Sequence, residues 1–259
     1  MKNLTILIPV HKFNTEIETY LKRAIESVPK GVKYCIVCPD EVRRELIKTD
    51  MFGSFKNWVV TNGETDFCSM VNVGVESCDT EYFSVLEFDD CYTPNIVTSA
   101  LPYIEVNEPN TKVFLTIQEL YDAAKGDMEA VGYINETAWA SAFSDEIGFL
   151  DIESLEAYYN FNATGAIINT AFFKKIGGLK PSIKISFWYE FLLRCIYNQG
   201  KVYVVPKVCY KHTVNRTDSL TLEYTDTIGQ EEGAWWIELA QEEYFFNEDR
   251  KKTYPKKKE

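Results

Sequence analysis

Three carboxylates crowd the end of one largely apolar stretch: Tyr82 to Leu86 runs directly into Glu87, Asp89 and Asp90. The run has the length and composition of a buried strand. Acidic side chains at the end of such a strand lie where open α/β sheets bind ligands. Glu87 and Asp89 are two residues apart, so an extended backbone turns both to one side. Hard oxygen ligands packed this closely repel one another unless a cation such as Mg²⁺ or Mn²⁺ sits between them. The chemistry on offer is therefore divalent-metal binding, and the plainer reading is a solvated acidic turn. Thr93-Pro94 then has the form of an N-cap followed by proline at the first helical position.

The elements that must position these groups follow from periodicity. Residues 4–10 form an apolar run of strand length. Asn14 or Thr15 can cap a helix through Ser27, with Ile17, Leu21, Ala24, Ile25 and Val28 on one face. Strands are expected at 33–38 and 57–61, with a polar helix after Asp40 between them and a helix over 66–77 behind them. The first 95 residues thus alternate β-α-β-α-β-α-β, which predicts a parallel sheet with helices on both faces. The second half is less regular. A helix is expected over 93–106, strands over 112–119 and 130–135, a β-like run over 163–169 and a short helix over 170–176 stopped by Gly177-Gly178. An apolar helix over 187–198 follows, then strands 202–205 and 208–212 broken by Pro206. An amphipathic helix over 231–246 and a lysine-rich tail end the sequence.

The chain has 259 residues, enough for one large α/β domain or two small ones. Its formal charge is −12. The last nine residues, with five lysines and one glutamate, contribute +4 and leave −16 elsewhere, which argues against nucleic acid as a partner. No apolar stretch approaches the about 20 residues of a membrane span, and the first apolar run is too short for a signal peptide. Seven irregularly spaced cysteines read as reduced, buried thiols. Cys35 and Cys38 lie three apart in a strand, on opposite faces, which disfavours a redox pair or zinc knuckle. A cytoplasmic protein is expected. The lysine tail leaves open a contact with an anionic membrane surface or a larger assembly.

Four stretches, in order, resemble family 2 glycosyltransferases. They are Leu4-Thr-Ile-Leu-Ile-Pro-Val-His-Lys-Phe-Asn14; Asn72-Val-Gly74; Leu86-Glu-Phe-Asp-Asp90; and Gly165-Ala-Ile-Ile through Ile176-Gly-Gly-Leu179, Tyr189-Glu-Phe-Leu-Leu-Arg194, Gly200 and Val204-Val-Pro206. The resemblance covers about residues 3–222. It implies a GT-A-type, Rossmann-like fold with a nucleotide-binding half over 1–95 and an acceptor half over 96–222. Residues 223–259 would be a C-terminal helix and basic tail, packed outside the catalytic shell and available to a second copy or another partner. The alternative is that this helix closes the domain's own core.

The activity the resemblance implies is metal-dependent, inverting transfer of a sugar from a nucleoside diphosphate sugar, a UDP-sugar first of all, to an unidentified acceptor hydroxyl. Mn²⁺ or Mg²⁺ would be the cofactor, held by Glu87, Asp89, Asp90 and His212. Pro9, His11, Asp40, Asn72 and Asp89 would meet the nucleotide-sugar. Several of these have a second reading: Asp40 as a cap of the following helix, Asn72 as an ordinary polar helix position, and His212 as a partly buried histidine bonded to backbone. The sequence departs from the family pattern at three places. Glu87 stands for the first aspartate of Asp-x-Asp, His11 for a tyrosine, and Phe187-Trp188 for an acid pair that carries the catalytic base. The nearest acid is Glu190, the candidate general base; its other reading is a partner for Arg194 one helical turn on. Loss of that pair also supports a contrasting function, a GT-A shell kept for binding or assembly without turnover.

Overall fold

Strand β1, Leu4–Pro9, is buried along its whole length and lies between two parallel partners. They are β2, Lys33–Pro39, and β4, Tyr82–Val85. The short β3, Trp58–Thr61, extends the parallel set beyond β2. The structure, a computed structural model, describes residues 3–105, 110–123, 130–136 and 148–241. Between these strands run α1 (Thr15–Ser27), α2 (Asp40–Leu46) and α3 (Phe67–Glu76). Asn14 caps α1 by accepting from Ile17 N–H at 2.8 Å, and Asp66 caps α3 by accepting from Ser69 N–H at 2.9 Å. Leu7, Cys35, Val37 and Val85 join one core; Ile6, Ile8, Ile36 and Cys38 join the other. The alternation expected of a sheet covered on both faces is therefore present, and it separates the two cysteines. Gly74 lets α3 lie close on the sheet: a Cβ there would stand 2.9 Å from Val37 Cγ2.

The second half mixes directions. The sheet runs β3-β2-β1-β4-β9-β6-β10-β5, with β9 (Ile167–Asn169) antiparallel to both β4 and β6 (Thr111–Asp122). Strand β10, Lys201–Val214, is parallel to β6 and antiparallel to β5, Cys91–Tyr92. The two strands expected around Pro206 are thus one strand with a register break between Val205 and Val208. Proline removes a ladder donor, and a bulge absorbs the loss without ending the strand. The helix expected over 93–106 is a π-helical turn, Ile96–Ala100, followed by α4, Leu101–Glu105. Thr93 does not cap it; its hydroxyl donates to Val208 O at 2.9 Å and ties this segment to β10. Strands β7 (Ala130–Ile134) and β8 (Phe149–Leu150) pair with β6 and β10. Helices α5 (Ile152–Ala157), α6 (Thr170–Lys175) and α7 (Phe187–Tyr197) pack beside them.

The chain then forms α8 (Leu220–Tyr224), a π-helical turn Thr225–Gly229 and α9 (Gln230–Gln241). Helix α9 does not stand outside the shell. Trp236 is 3% exposed and Leu239 fully buried, both in the same core as Leu155 and α7. The apolar stripe read from sequence therefore closes the domain's own core, at least over 230–241. The rest of that expected helix and the lysine tail fall outside the described residues. No described helix is long and apolar enough to cross a membrane.

Candidate active site

Beyond Val85 the backbone turns, with Asp90 N–H donating to Glu87 O at 3.1 Å. Glu87 and Asp89 both line a cavity of about 510 Å³, although this segment is a turn and not the strand continuation expected. Asp90 points below them and is 1% exposed. Its Oδ2 lies 2.8 Å from His212 Nδ1, and its Oδ1 accepts from Thr213 N–H at 2.7 Å. The antiparallel pairing of β5 with β10 brings these distant residues together. Donor atoms of Glu87, Asp90 and His212 all lie within 4.8 Å of one another. Asp89 faces elsewhere: its Oδ2 accepts from Arg216 Nε at 2.9 Å, and its carbonyl accepts from Arg23 Nη2 and Thr213 Oγ1, each at 2.7 Å.

Glu87 is held from two directions. Its backbone N–H donates to Tyr210 Oη at 3.1 Å, and its Oε1 accepts from Thr164 Oγ1 at 3.0 Å. Thr164 Oγ1 in turn accepts from Trp188 Nε1 at 3.0 Å. Gly165 makes this possible. It sits at φ +72°, and a Cβ there would stand 2.3 Å from the Tyr210 ring. Only glycine lets the chain cross that ring with Thr164 against Glu87.

The electrostatics are unbalanced. Burial, and then the neighbouring Asp90, push Glu87 up to about 8. Burial and Asp90 also raise Asp89, to about 6, with Arg216 opposing. Burial would lower His212, but Asp90, with Glu87 and Asp89, outweighs it and raises the imidazole to about 10. His11, whose ring centre lies 5.8 Å from that of Phe88, is lowered to about 4 by burial, then by Lys12 and Arg216, so it is neutral near pH 7. His11 and Pro9 line the cavity, and His11 Nε2 is buried without a hydrogen-bond partner among the described residues.

The sequence and the fold have counterparts. No family model matches the chain. A Haemophilus influenzae protein described as an uncharacterized glycosyltransferase is 25% identical over 236 residues, 86% of this chain and 73% of that protein. The crystal structure of S. aureus TarS 1-349 aligns with a TM-score of 0.63 and 16% identity, covering 96% of this chain and 66% of that one. Its complex with UDP-GlcNAc aligns with a TM-score of 0.61 and 16% identity over 85% of this chain and 61% of that one. The chain has a GT-A glycosyltransferase fold. It spans just under two thirds of the length of the solved TarS 1-349 chains.

On this GT-A framework the remaining sequence-expected residues take separate places. Asp40 heads α2 and binds Arg43, at 2.7 Å, and Arg44, at 2.5 Å; it does not line the cavity. Asn72 Nδ2 donates to Leu179 O, and its Oδ1 accepts from Leu179 N–H, both at 2.8 Å, so it pins the turn after α6. Glu190 is fully buried and away from the cavity. Its carboxylate accepts from Arg194 Nε at 2.7 Å and Nη2 at 2.8 Å, with Lys180 Nζ at 2.8 Å. Of its two readings, partnership with Arg194 is the one the geometry carries. Sequence reasoning missed Arg216, Thr164 and Tyr210. Their only signals were a lone arginine after His212 and the Thr-Gly step at 164–165, neither of which names a partner.

Proposed function

We propose that this chain transfers a sugar from a UDP-sugar to an acceptor hydroxyl, assisted by Mn²⁺ or Mg²⁺. The observation that carries the reading is the trio Glu87, Asp90 and His212, placed within 4.8 Å of one another beneath a cavity on a GT-A framework. Two carboxylates and an imidazole suit a divalent cation of the Mn²⁺ kind, and the burial and neighbouring Asp90 that lift Glu87 to about 8 are what such a cation offsets. When bound, the cation supplies positive charge to a departing diphosphate. The chain's own groups do the rest. Neutral His11, beside Pro9, offers an imidazole face to a nucleotide base. Arg216 holds Asp89 at the cavity edge. An inverting course needs a carboxylate to take the acceptor proton. Among the described residues only Glu87 and Asp89 bring carboxylates to the cavity, and with Glu87 given to the cation that role falls to Asp89 and not to Glu190. Support also comes from the glycosyltransferase relative and from the solved TarS complexes with UDP-GlcNAc and UDP.

The second reading, a shell that binds without turnover, is favoured by Phe187-Trp188 in place of an acid pair and by the ion-paired Glu190. Incubation with UDP-GlcNAc separates the two. UDP release that needs Mn²⁺ and stops with a chelator is the expected result. Mn²⁺-dependent UDP binding without release from any UDP-sugar would support the shell instead.

A further inference from the structure

Helix α7 opens on the cavity wall, and its N-cap residue Ser186 makes no side-chain cap bond. The loop that leads into it is held from α9. Glu232, fully buried, accepts from three consecutive backbone N–H groups: Lys184 at 3.0 and 3.1 Å, Ile185 at 2.9 Å and Ser186 at 2.8 Å. Two further contacts join the same segments. A Cβ on Gly229 would stand 2.3 Å from Ile185 Cδ1, and Lys184 Nζ lies 5.7 Å from the centre of the Tyr224 ring. Two residues beyond Ser186, Trp188 donates to Thr164, and Thr164 donates to Glu87. One connected path therefore runs from α9 through the start of α7 to the carboxylate at the cavity floor.

We infer that Glu232 is a positioning residue: by holding the loop amides 184–186 it fixes the wall 184–188 and, through Trp188 and Thr164, the orientation of Glu87. A buried carboxylate receiving three amide bonds at a helix N-terminus is held by charge-assisted hydrogen bonds and by the helix dipole. Its consequence for turnover rests on the glycosyltransferase reading; the clamp itself does not. The C-terminal segment is then part of the site's architecture, and nucleotide binding at the Pro9–His11 side is independent of it.

Amide hydrogen exchange on full-length protein tests the clamp, with Glu232→Ala and the conservative Glu232→Gln compared with the parent. Exchange at 184–186 should rise at least about 100-fold in Glu232→Ala and about tenfold in Glu232→Gln, while the β1 and β4 amides keep their protection. UDP affinity without Mn²⁺ should stay within about threefold while UDP-GlcNAc turnover in Mn²⁺ falls at least about tenfold, partly recovered in Glu232→Gln. Unchanged protection at 184–186 overturns the inference, as does a fall in metal-free UDP affinity as large as the fall in turnover. Should Glu232→Ala fail to fold, Glu232→Gln carries the same comparison. A parent protein that neither binds UDP nor releases it from UDP-sugars defeats the proposed function, and the exchange result alone then decides the clamp.

Discussion

Two buried acidic regions sit on this framework and are built in opposite ways. At the start of α7, Glu190 meets Arg194 and Lys180, so its charge is matched at once by cations. At the turn after β4, Asp90 pairs with His212 and Asp89 with Arg216, while Glu87 is pushed up to about 8, by burial first. Balanced charge gives an internal brace. A carboxylate that burial keeps protonated beside a cavity is one that a bound cation can ionise. The difference explains why Glu190 is unavailable to a ligand, and under the proposed function it leaves the chemistry to the residues at the strand end.

Breaking the balanced region has the largest expected effect on stability. Glu190→Ala leaves Arg194 buried with its strongest partner removed, and should cost about 3–5 kcal/mol by denaturant unfolding. The folded fraction should retain metal-dependent UDP binding, because Glu190 does not reach the cavity. Loss of UDP affinity without loss of stability would reverse the roles assigned to the two regions.

The unbalanced region should show itself in pH dependence. An ordinary glutamate titrates near 4.5, and folded Glu87 near 8. Between these values the folded state keeps a proton that the unfolded chain has released, so stability is present below 4.5 and is lost as pH rises through 8. His212, raised from 6.5 to about 10, adds a loss in the same direction at higher pH. The melting temperature of metal-free protein should fall between pH 5 and 9. Glu87→Gln should flatten the part between 5 and 8, and Mn²⁺ should restore stability at the alkaline end. A melting temperature that rises over this range would contradict the raised titration of Glu87 and His212.

The same contrast shows what was legible in the sequence. Local features were readable: the cap candidate Asn14, the β-α alternation, and the acidic strand end all depend on neighbours within a few residues. Glu190 and Arg194 are four apart, so their pairing was visible as one of two choices. Arg216, by contrast, reaches Asp89 across 127 positions, and Glu232 reaches Ile185 across 47. Such partners are set by strand order and helix docking, which periodicity does not encode. Two residues beyond the expected motifs, Thr164 and Tyr210, orient Glu87 only because Gly165 takes a positive φ over an aromatic ring. The C-terminal stripe was visible, but its destination was not, since an amphipathic face fits a core and a partner equally well.

Calorimetry with UDP tests the central claim most directly, comparing the parent protein with the double variant Glu87→Gln, Asp90→Asn, each with and without Mn²⁺. The parent should bind UDP at least about tenfold more tightly with Mn²⁺, a difference of about 1.4 kcal/mol. The folded double variant should lose that Mn²⁺ dependence. A double variant that keeps the full Mn²⁺-dependent gain would contradict the assignment of the cation to Glu87, Asp90 and His212.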